Sequence, residues 1–270
     1  MKRPIGVFDS GVGGLTVVKE IRKLLPHEDI VYFGDTARVP YGTKTPETLL
    51  EYGREIIHFM KTKHAKAVVL ACGTSSANTF DKLQEEFPEM PLVDVLRPGA
   101  KACVDIAEKK PETRFGIIAT SATINSGLFP QLLGDISIVA RPCPLFASMV
   151  EAGLTSKPNN MLLKFVAETY LADLKGKIDA LVLGCTHYPL LTDILSEVLG
   201  DVMFVNLGES TAIATMEKLR GNNAIDSTKT PGVHEFYVSG KAEVFSQTAK
   251  AIFNEEIQVL EITPPHLARP

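Results

Sequence analysis

An aliphatic run that ends in a cysteine occurs twice in this chain, and nothing else in it limits the fold so sharply. Ala67-Val68-Val69-Leu70-Ala71-Cys72-Gly73-Thr74 is echoed by Ala180-Leu181-Val182-Leu183-Gly184-Cys185-Thr186. A short continuous apolar run closed by a turn residue reads as a strand buried on both faces, as in a parallel sheet. Each cysteine then sits at the carboxyl end of its strand, the edge of an open α/β sheet where ligands bind. Pro189 to Val198, after Cys185, has helical spacing with Pro in its first turn. A thiol at a strand-to-helix junction faces a helix N-terminus, which favours its thiolate.

The repetition extends beyond the cysteines. The segment 115–120 matches 5–10, 110 residues earlier, and 135–139 matches 29–33 at an offset of 106. The cysteine segments are 113 apart, and 202–205 matches 92–95 at 110. Four segments repeated in one order at nearly one offset predict two similar units from a duplication, with a period far too long for a solenoid. Further strands are expected at 4–8, 65–71, 92–96 and 234–238. Helices are expected at 16–25, 46–61, 75–87, 98–108, 208–219 and 241–253. A polar connection is expected at 221–232 and a loose tail at 263–270. This alternation predicts an α/β fold with mostly parallel, doubly wound sheets flanked by helices.

Composition removes several function classes. The chain has 270 residues, 45% hydrophobic content and a mean hydropathy of +0.09, enough apolar material for large cores. Its formal net charge is −4 and its pI about 5.9, with Lys and Arg scattered. A nucleic-acid binder would need a basic face, so no nucleic-acid partner is expected. No apolar run approaches a membrane span, and the first is too short for a signal peptide. That run begins at Pro4, so no N-terminal regulatory extension is expected. The four cysteines show no paired spacing and read as reduced thiols of a cytoplasmic protein.

Pro4 to Phe8 enters Asp9-Ser10-Gly11-Val12-Gly13-Gly14-Leu15. Strand, glycine-rich turn and helix make an anion-binding geometry, because free N–H groups point at the ligand. The pattern is neither G-x-G-x-x-G nor a P-loop. A tight turn capped by Asp9 is the plainer alternative.

Two thiols, one per pseudo-equivalent unit, suit one chemistry in particular. If the strand ends face a common cleft, the thiols approach a ligand from opposite sides. One can remove a proton from a carbon while the other delivers a proton to the opposite face. An unperturbed thiol near pKa 8.5 is only about one part in thirty ionised at pH 7, so the base needs help. Asp9 in the first unit and His187, two residues after Cys185, are placed to give it. Taken singly these residues say less, since free Cys is among the most buried residue types. Cys103 and Cys143 are expected in the core. His27, His58, His64, His234 and His266 lack partner spacing and are expected at the surface.

Asp9-Ser10-Gly11-Val12-Gly13-Gly14-Leu15-Thr16, Pro40-Tyr41-Gly42, Ala71-Cys72-x-Thr74 and Gly184-Cys185-Thr186-His187-Tyr188-Pro189 together resemble the glutamate racemases, within the cofactor-independent aspartate/glutamate racemase superfamily. The resemblance runs from Ile5 to about Phe253, and Cys143-Pro144-Leu145-Phe146 and Glu151-x-Gly153 add to it. It implies two pseudo-symmetric α/β domains, 1–95 plus 209–270 and 96–208, with the active site in the cleft between them. It implies interconversion of L- and D-glutamate without pyridoxal phosphate or metal, with D-glutamate feeding peptidoglycan synthesis, and a homodimer. Cys72 and Cys185 would act on opposite faces of the α-carbon. Asp9 would assist Cys72, and His187 and Glu151 would assist Cys185. Asp9, Ser10, Pro40, Tyr41, Gly42, Gly73, Thr74, Thr120, Thr123, Thr186 and His187 would hold the substrate. Two positions depart from the family pattern. Gly73 stands where Asn is usual, and Ala119 where Gly opens the Gly-Thr-x-x-Thr loop.

Other chemistries remain open to these residues. Cys185 and His187 could form a hydrolase or acyltransferase pair, which leaves Cys72 unused. Cys72, Cys185 and His187 could bind zinc, without the clustered spacing usual for such sites. A two-lobed amino-acid-binding protein would need no paired thiols. The same fold could also racemise aspartate.

Overall fold

A computed structural model of the chain describes residues 2–154 and 160–262. The predicted tail at 263–270 lies outside them.

Two parallel sheets repeat one topology. In the first, β1 (Ile5–Asp9), β2 (Ile30–Gly34), β3 (Ala67–Leu70) and β4 (Leu92–Asp94) lie in the order β2-β1-β3-β4. In the second, β5 (Phe115–Ala119), β6 (Ile138–Pro142), β7 (Ala180–Leu183) and β8 (Met203–Asn206) lie in the order β6-β5-β7-β8. Ile5 pairs with Ile30 and Ala67, and Phe115 pairs with Ile138 and Ala180, so even the register is shared. β9 (His234–Val238) and β10 (Val259–Glu261) return from the C-terminal segment and extend the first sheet beyond β2. The repeat seen in the sequence is therefore a repeat of strand order.

Successive strand residues face opposite sides of a sheet. Ile5, Val7, Ala67 and Val69 face one way, with Phe115, Ile117, Ala180 and Val182 of the second sheet, into a single shared core. Helices supply its middle layer: α1 (Leu15–Leu24) with Val17, Val18 and Ile21, α4 (Leu96–Lys109) with Ala100 and Cys103, and α10 (Leu207–Gly221) with Ala212 and Leu219. The far faces close separately. Phe8, Val68 and Leu70 pack under α2 (Pro46–Thr62) and α3 (Gly73–Glu86). Ile118, Leu181 and Leu183 pack with residues of α7 (Pro144–Glu151), α8 (Met161–Leu171) and α9 (Thr192–Leu199). Two short helices, α5 (Ser121–Asn125) and α6 (Leu128–Leu133), follow β5, and α11 (Ala242–Phe253) follows β9.

Local chemistry sets the helix starts. Thr45 caps α2 by accepting from the Thr48 N–H at 3.3 Å, with Pro46 in the first turn. Asp94 Oδ1 accepts from the Leu96 and Arg97 N–H groups at 2.8 and 2.9 Å. α4 therefore starts at Leu96, ahead of the expected Pro98, and β4 is correspondingly short. β6 runs three residues later than the expected 135–139. The Ile136 N–H is taken by the Leu133 carbonyl, so the ladder to β5 begins only at Ile138. After β7, a short 3₁₀ turn (Tyr188–Leu191) precedes α9 where one helix was expected. Cys103 and Cys143 are buried as expected, while His234 is half-buried in β9. No helix among the described residues is long and apolar enough to cross a membrane.

Candidate active site

Because the two sheets share one core, their carboxyl edges end close together. Cys72 follows β3 and caps α3 in extended conformation; Cys185 follows β7. Both line one cavity of about 460 Å³, with residues of both units around it. Of the expected site residues, Ser10, Pro40, Tyr41, Gly42, Gly73, Thr74, Thr120, Glu151, Thr186 and His187 also line it. Asp9 and Thr123 do not; they stand behind its wall, 0% and 2% exposed.

On the second side, His187 sits between Cys185 and Glu151. Its Nδ1 is 3.5 Å from the Cys185 Sγ and its Nε2 is 2.7 Å from Glu151 Oε1. Burial works against a charged imidazole here, but the contacts with Cys185 and with the Glu151 carboxylate outweigh it and hold the His187 pKa well above 6.5. Burial likewise opposes the Glu151 charge, and the His187 contact overcomes it, so the Glu151 pKa is lowered. The imidazolium can donate from both nitrogens at once.

On the first side, Cys72 is pushed up to about 11 by burial first and then by the Asp9 charge. The Cys185 charge adds to that rise, which couples the two thiols electrostatically. The Cys72 Sγ donates to Ser10 Oγ at 3.8 Å. Asp9 Oδ2 accepts from the Gly11 and Gly14 N–H groups at 3.1 and 3.0 Å. Asp9 Oδ1 accepts from the Thr186 hydroxyl, of the second unit, at 3.4 Å.

These bonds correct the anion-binding reading of the glycine-rich turn. Its N–H groups are taken by protein carboxylates: Gly11 and Gly14 by Asp9, and Val12 by Glu151 Oε1 at 3.2 Å. The capped turn is the structure, and the anion it binds across the cleft is Glu151. The Thr16 hydroxyl, donating to the Thr186 carbonyl at 3.0 Å, is a third bond across the same seam.

Hydroxyls line the remainder. Thr74 Oγ1 and Thr120 Oγ1 are 2.9 Å apart, and Thr120 Oγ1 is 2.9 Å from Thr123 Oγ1. Thr123 therefore acts on the cavity through Thr120. Tyr41 is held by a hydroxyl bond to buried Asp35, which also accepts from Arg38 Nε at 2.6 Å and Ser239 Oγ at 2.7 Å. Sequence reasoning missed Asp35, whose role shows only once β9 is in place. It also missed Val39, Thr43, Ser121, Pro144, Ala147, Ser148 and Gly184 among the lining residues. A signal for three of them exists. Pro144, Ala147, Ser148 and Glu151 fall on one helical face.

No Lys or Arg lines the cavity. An anionic ligand would instead be met by hydroxyls and by the N-terminus of α3, where Gly73 and Thr74 line the cavity. Among the described residues, no three His, Cys, Asp or Glu side chains gather as metal ligands do.

A profile of the Asp/Glu/hydantoin racemases matches residues 5–215. The chain belongs to that family. As an enzyme it is a racemase, one of the isomerases. It is 43% identical over 243 residues to the glutamate racemase of Geobacter metallireducens, spanning 88% of this chain and 87% of that one. Its fold matches a glutamate racemase isoform of Bacillus anthracis with a TM-score of 0.89 at 34% identity, over 97% of this chain and 98% of that one. It matches the Francisella tularensis glutamate racemase, solved with D-glutamate, with a TM-score of 0.86 at 37% identity over 97% of both chains. This racemase thus keeps nearly the whole length of its relatives' fold, with Gly73 lining the cavity and Ala119 buried at the end of β5.

Proposed function

We propose that this chain interconverts L- and D-glutamate by proton transfer between two thiols and the substrate α-carbon. The observation that carries the reading is the pair Cys72 and Cys185, at equivalent strand ends of two like sheets, lining one cavity. Relatives named glutamate racemase at 37–43% identity support the substrate.

In one direction a thiolate takes the α-proton and becomes a thiol. The electron pair left on carbon spreads into the α-carboxylate. The opposite thiol then gives its proton to the other face and becomes the thiolate. The reverse direction exchanges the two roles, so no proton is gained or lost over a cycle. The N-terminus of α3 and the hydroxyls facing the cavity offset charge developing on the carboxylate. Asp9 raises the basicity of Cys72 through its charge. Glu151 holds His187, and His187 serves Cys185. The His187 contact would suit a nucleophilic thiol as well, but only proton transfer uses Cys72. We further assign the product D-glutamate to peptidoglycan synthesis, in a cytoplasm that keeps four free cysteines reduced.

The test is proton NMR of L-glutamate with the enzyme in D2O, followed in parallel by circular dichroism. Loss of the α-proton signal together with decay of optical activity is expected. If aspartate exchanges and glutamate does not, the mechanism stands and the substrate assignment falls. If no amino acid exchanges its α-proton, the two-thiol reading is wrong.

A further inference from the structure

Tyr41 and Gly42 form one wall of the cavity, and a buried carboxylate outside it holds the segment that carries them. The 3₁₀ turn Tyr41–Thr43 bonds locally: the Thr43 hydroxyl donates to the Pro40 carbonyl at 3.1 Å, and the Lys44 N–H to the Tyr41 carbonyl at 3.0 Å. The Tyr41 hydroxyl is the group that reaches outward, donating to Asp35 Oδ2. The Tyr41 ring packs with Leu49 of α2 and with Cys72. Gly42 lies against the second unit, where its Cβ would be 3.4 Å from Thr120 Cβ. The segment thus reaches from one thiol to the opposite wall.

Asp35 is 0% exposed and gathers three side-chain donors. Its Oδ2 accepts from Arg38 Nε at 2.6 Å as well as from the Tyr41 hydroxyl, and its Oδ1 accepts from the Ser239 hydroxyl at 2.7 Å. Ser239 directly follows β9 and comes from the far end of the chain. Its N–H donates to the Gly34 carbonyl at 3.0 Å, and its Oγ accepts from the Ala37 N–H at 2.9 Å. Arg38 is held in turn by Glu55, and its guanidinium lies 3.9 Å from the centre of the Tyr52 ring, which packs beside Tyr41. Hydrogen bonds to a charged group are about twice as strong as neutral ones, so these bonds weaken together if Asp35 loses its charge.

We propose that Asp35 is a positioning residue that holds the Tyr41 wall of the cavity, and that Ser239 makes the C-terminal strand β9 part of the same support. The thiols are seated elsewhere. The Ala71 N–H donates to the Phe8 carbonyl at 2.9 Å and the Gly184 N–H to the Ile118 carbonyl at 2.8 Å, which fixes both strand ends without Asp35. A loosened wall therefore weakens substrate binding more than proton transfer, and KM moves more than kcat. That kinetic consequence, though not the placement of the wall, rests on the glutamate reading above.

The test compares wild type, Asp35→Asn, Ser239→Ala, Tyr41→Phe and the double variant Asp35→Asn/Tyr41→Phe. Glu235→Gln is the control, because Glu235 lies on the same strand but takes the Tyr237 hydroxyl and Lys63 Nζ. Asp35→Asn should raise KM for glutamate about tenfold and Ser239→Ala about threefold, each with a smaller change in kcat. Because Asp35 acts through the Tyr41 hydroxyl, the double variant should be no worse than about the larger single change. Without substrate, hydrogen exchange of the peptide 38–44 should quicken in Asp35→Asn and Ser239→Ala and stay unchanged in Glu235→Gln. Unchanged exchange in both loop variants, a kcat that falls as far as KM rises, or additive changes in the double variant would each overturn the proposal. A wild type that does not racemise glutamate would overturn the substrate reading instead, while hydrogen exchange still decides whether Asp35 and Ser239 hold the wall.

Discussion

Glu151 Oε1 takes contacts from both units at once: His187 Nε2 at 2.7 Å and the Val12 N–H at 3.2 Å. One carboxylate therefore orients the imidazole beside Cys185 and ties α7 to the glycine-rich turn below Ser10. Removing its charge in Glu151→Gln takes away one of the groups that hold the His187 pKa up. The kcat should fall by about tenfold, less than the roughly hundredfold or more lost with a group that moves the proton itself. The alkaline limb of the pH–rate profile should move to lower pH. An unmoved limb would mean that Glu151 does not tune His187.

The same pair shapes stability against pH. The folded His187 pKa lies above 6.5, so its contribution is full below about pH 6.5 and is lost as pH rises through the folded value. The folded Glu151 pKa lies below 4.5, so its contribution is present above about pH 4.5 and is lost as pH falls through the folded value. The Tm difference between wild type and His187→Gln should therefore be largest between these limits and shrink toward both extremes. A difference that does not vary with pH would contradict the pairing.

Cys72 titrates far from neutrality. With its thiol pushed up to about 11, the reactive thiolate is scarce at pH 7. Iodoacetamide labelling of the Cys72 peptide, followed by mass spectrometry, should speed up about tenfold per pH unit from pH 7 to 10. A plateau below pH 9 would show that the free enzyme holds Cys72 more acidic than its burial beside Asp9 dictates.

Lys66 and Glu28 form an ion pair with side chains 8% and 2% exposed. Lys66 Nζ also donates to the Ala224 carbonyl at 2.7 Å, and Glu28 Oε1 accepts from the Asp226 N–H at 2.7 Å. The pair thus anchors the connection between α10 and β9. Lys66→Met should cost about 3–5 kcal/mol in urea unfolding, because it strands a buried charge. Adding Glu28→Gln should recover part of that loss. A Lys66→Met cost below about 1 kcal/mol would show that Glu28 finds another partner.

Most of the fold was legible because its central strands are buried on both faces and read as plain apolar runs. β1, β3, β5 and β7 carry that signal, and both thiols sit at the end of such a strand. β6 was expected three residues early because it is an edge strand with exposed residues, and its start is set by pairing to β5 rather than by its own pattern. α5 and α6 span five and six residues, too short for a periodic signal. β10 has three residues and no alternation to read. The site was legible where motifs are local, as at Cys72-Gly73-Thr74 and Cys185-Thr186-His187. Asp35 and the α7 face were not, because their part depends on elements far apart in the chain.

The central claim is that two different thiols serve the two faces of one carbon. The most direct measurement follows deuterium at early times, starting from pure protiated L-glutamate and then from pure D-glutamate, in D2O. Transfer between two thiols predicts product that carries deuterium at the α-carbon while the remaining substrate stays protiated. Deuterium entering remaining substrate as fast as product would mean that one base serves both faces, and the account would fail.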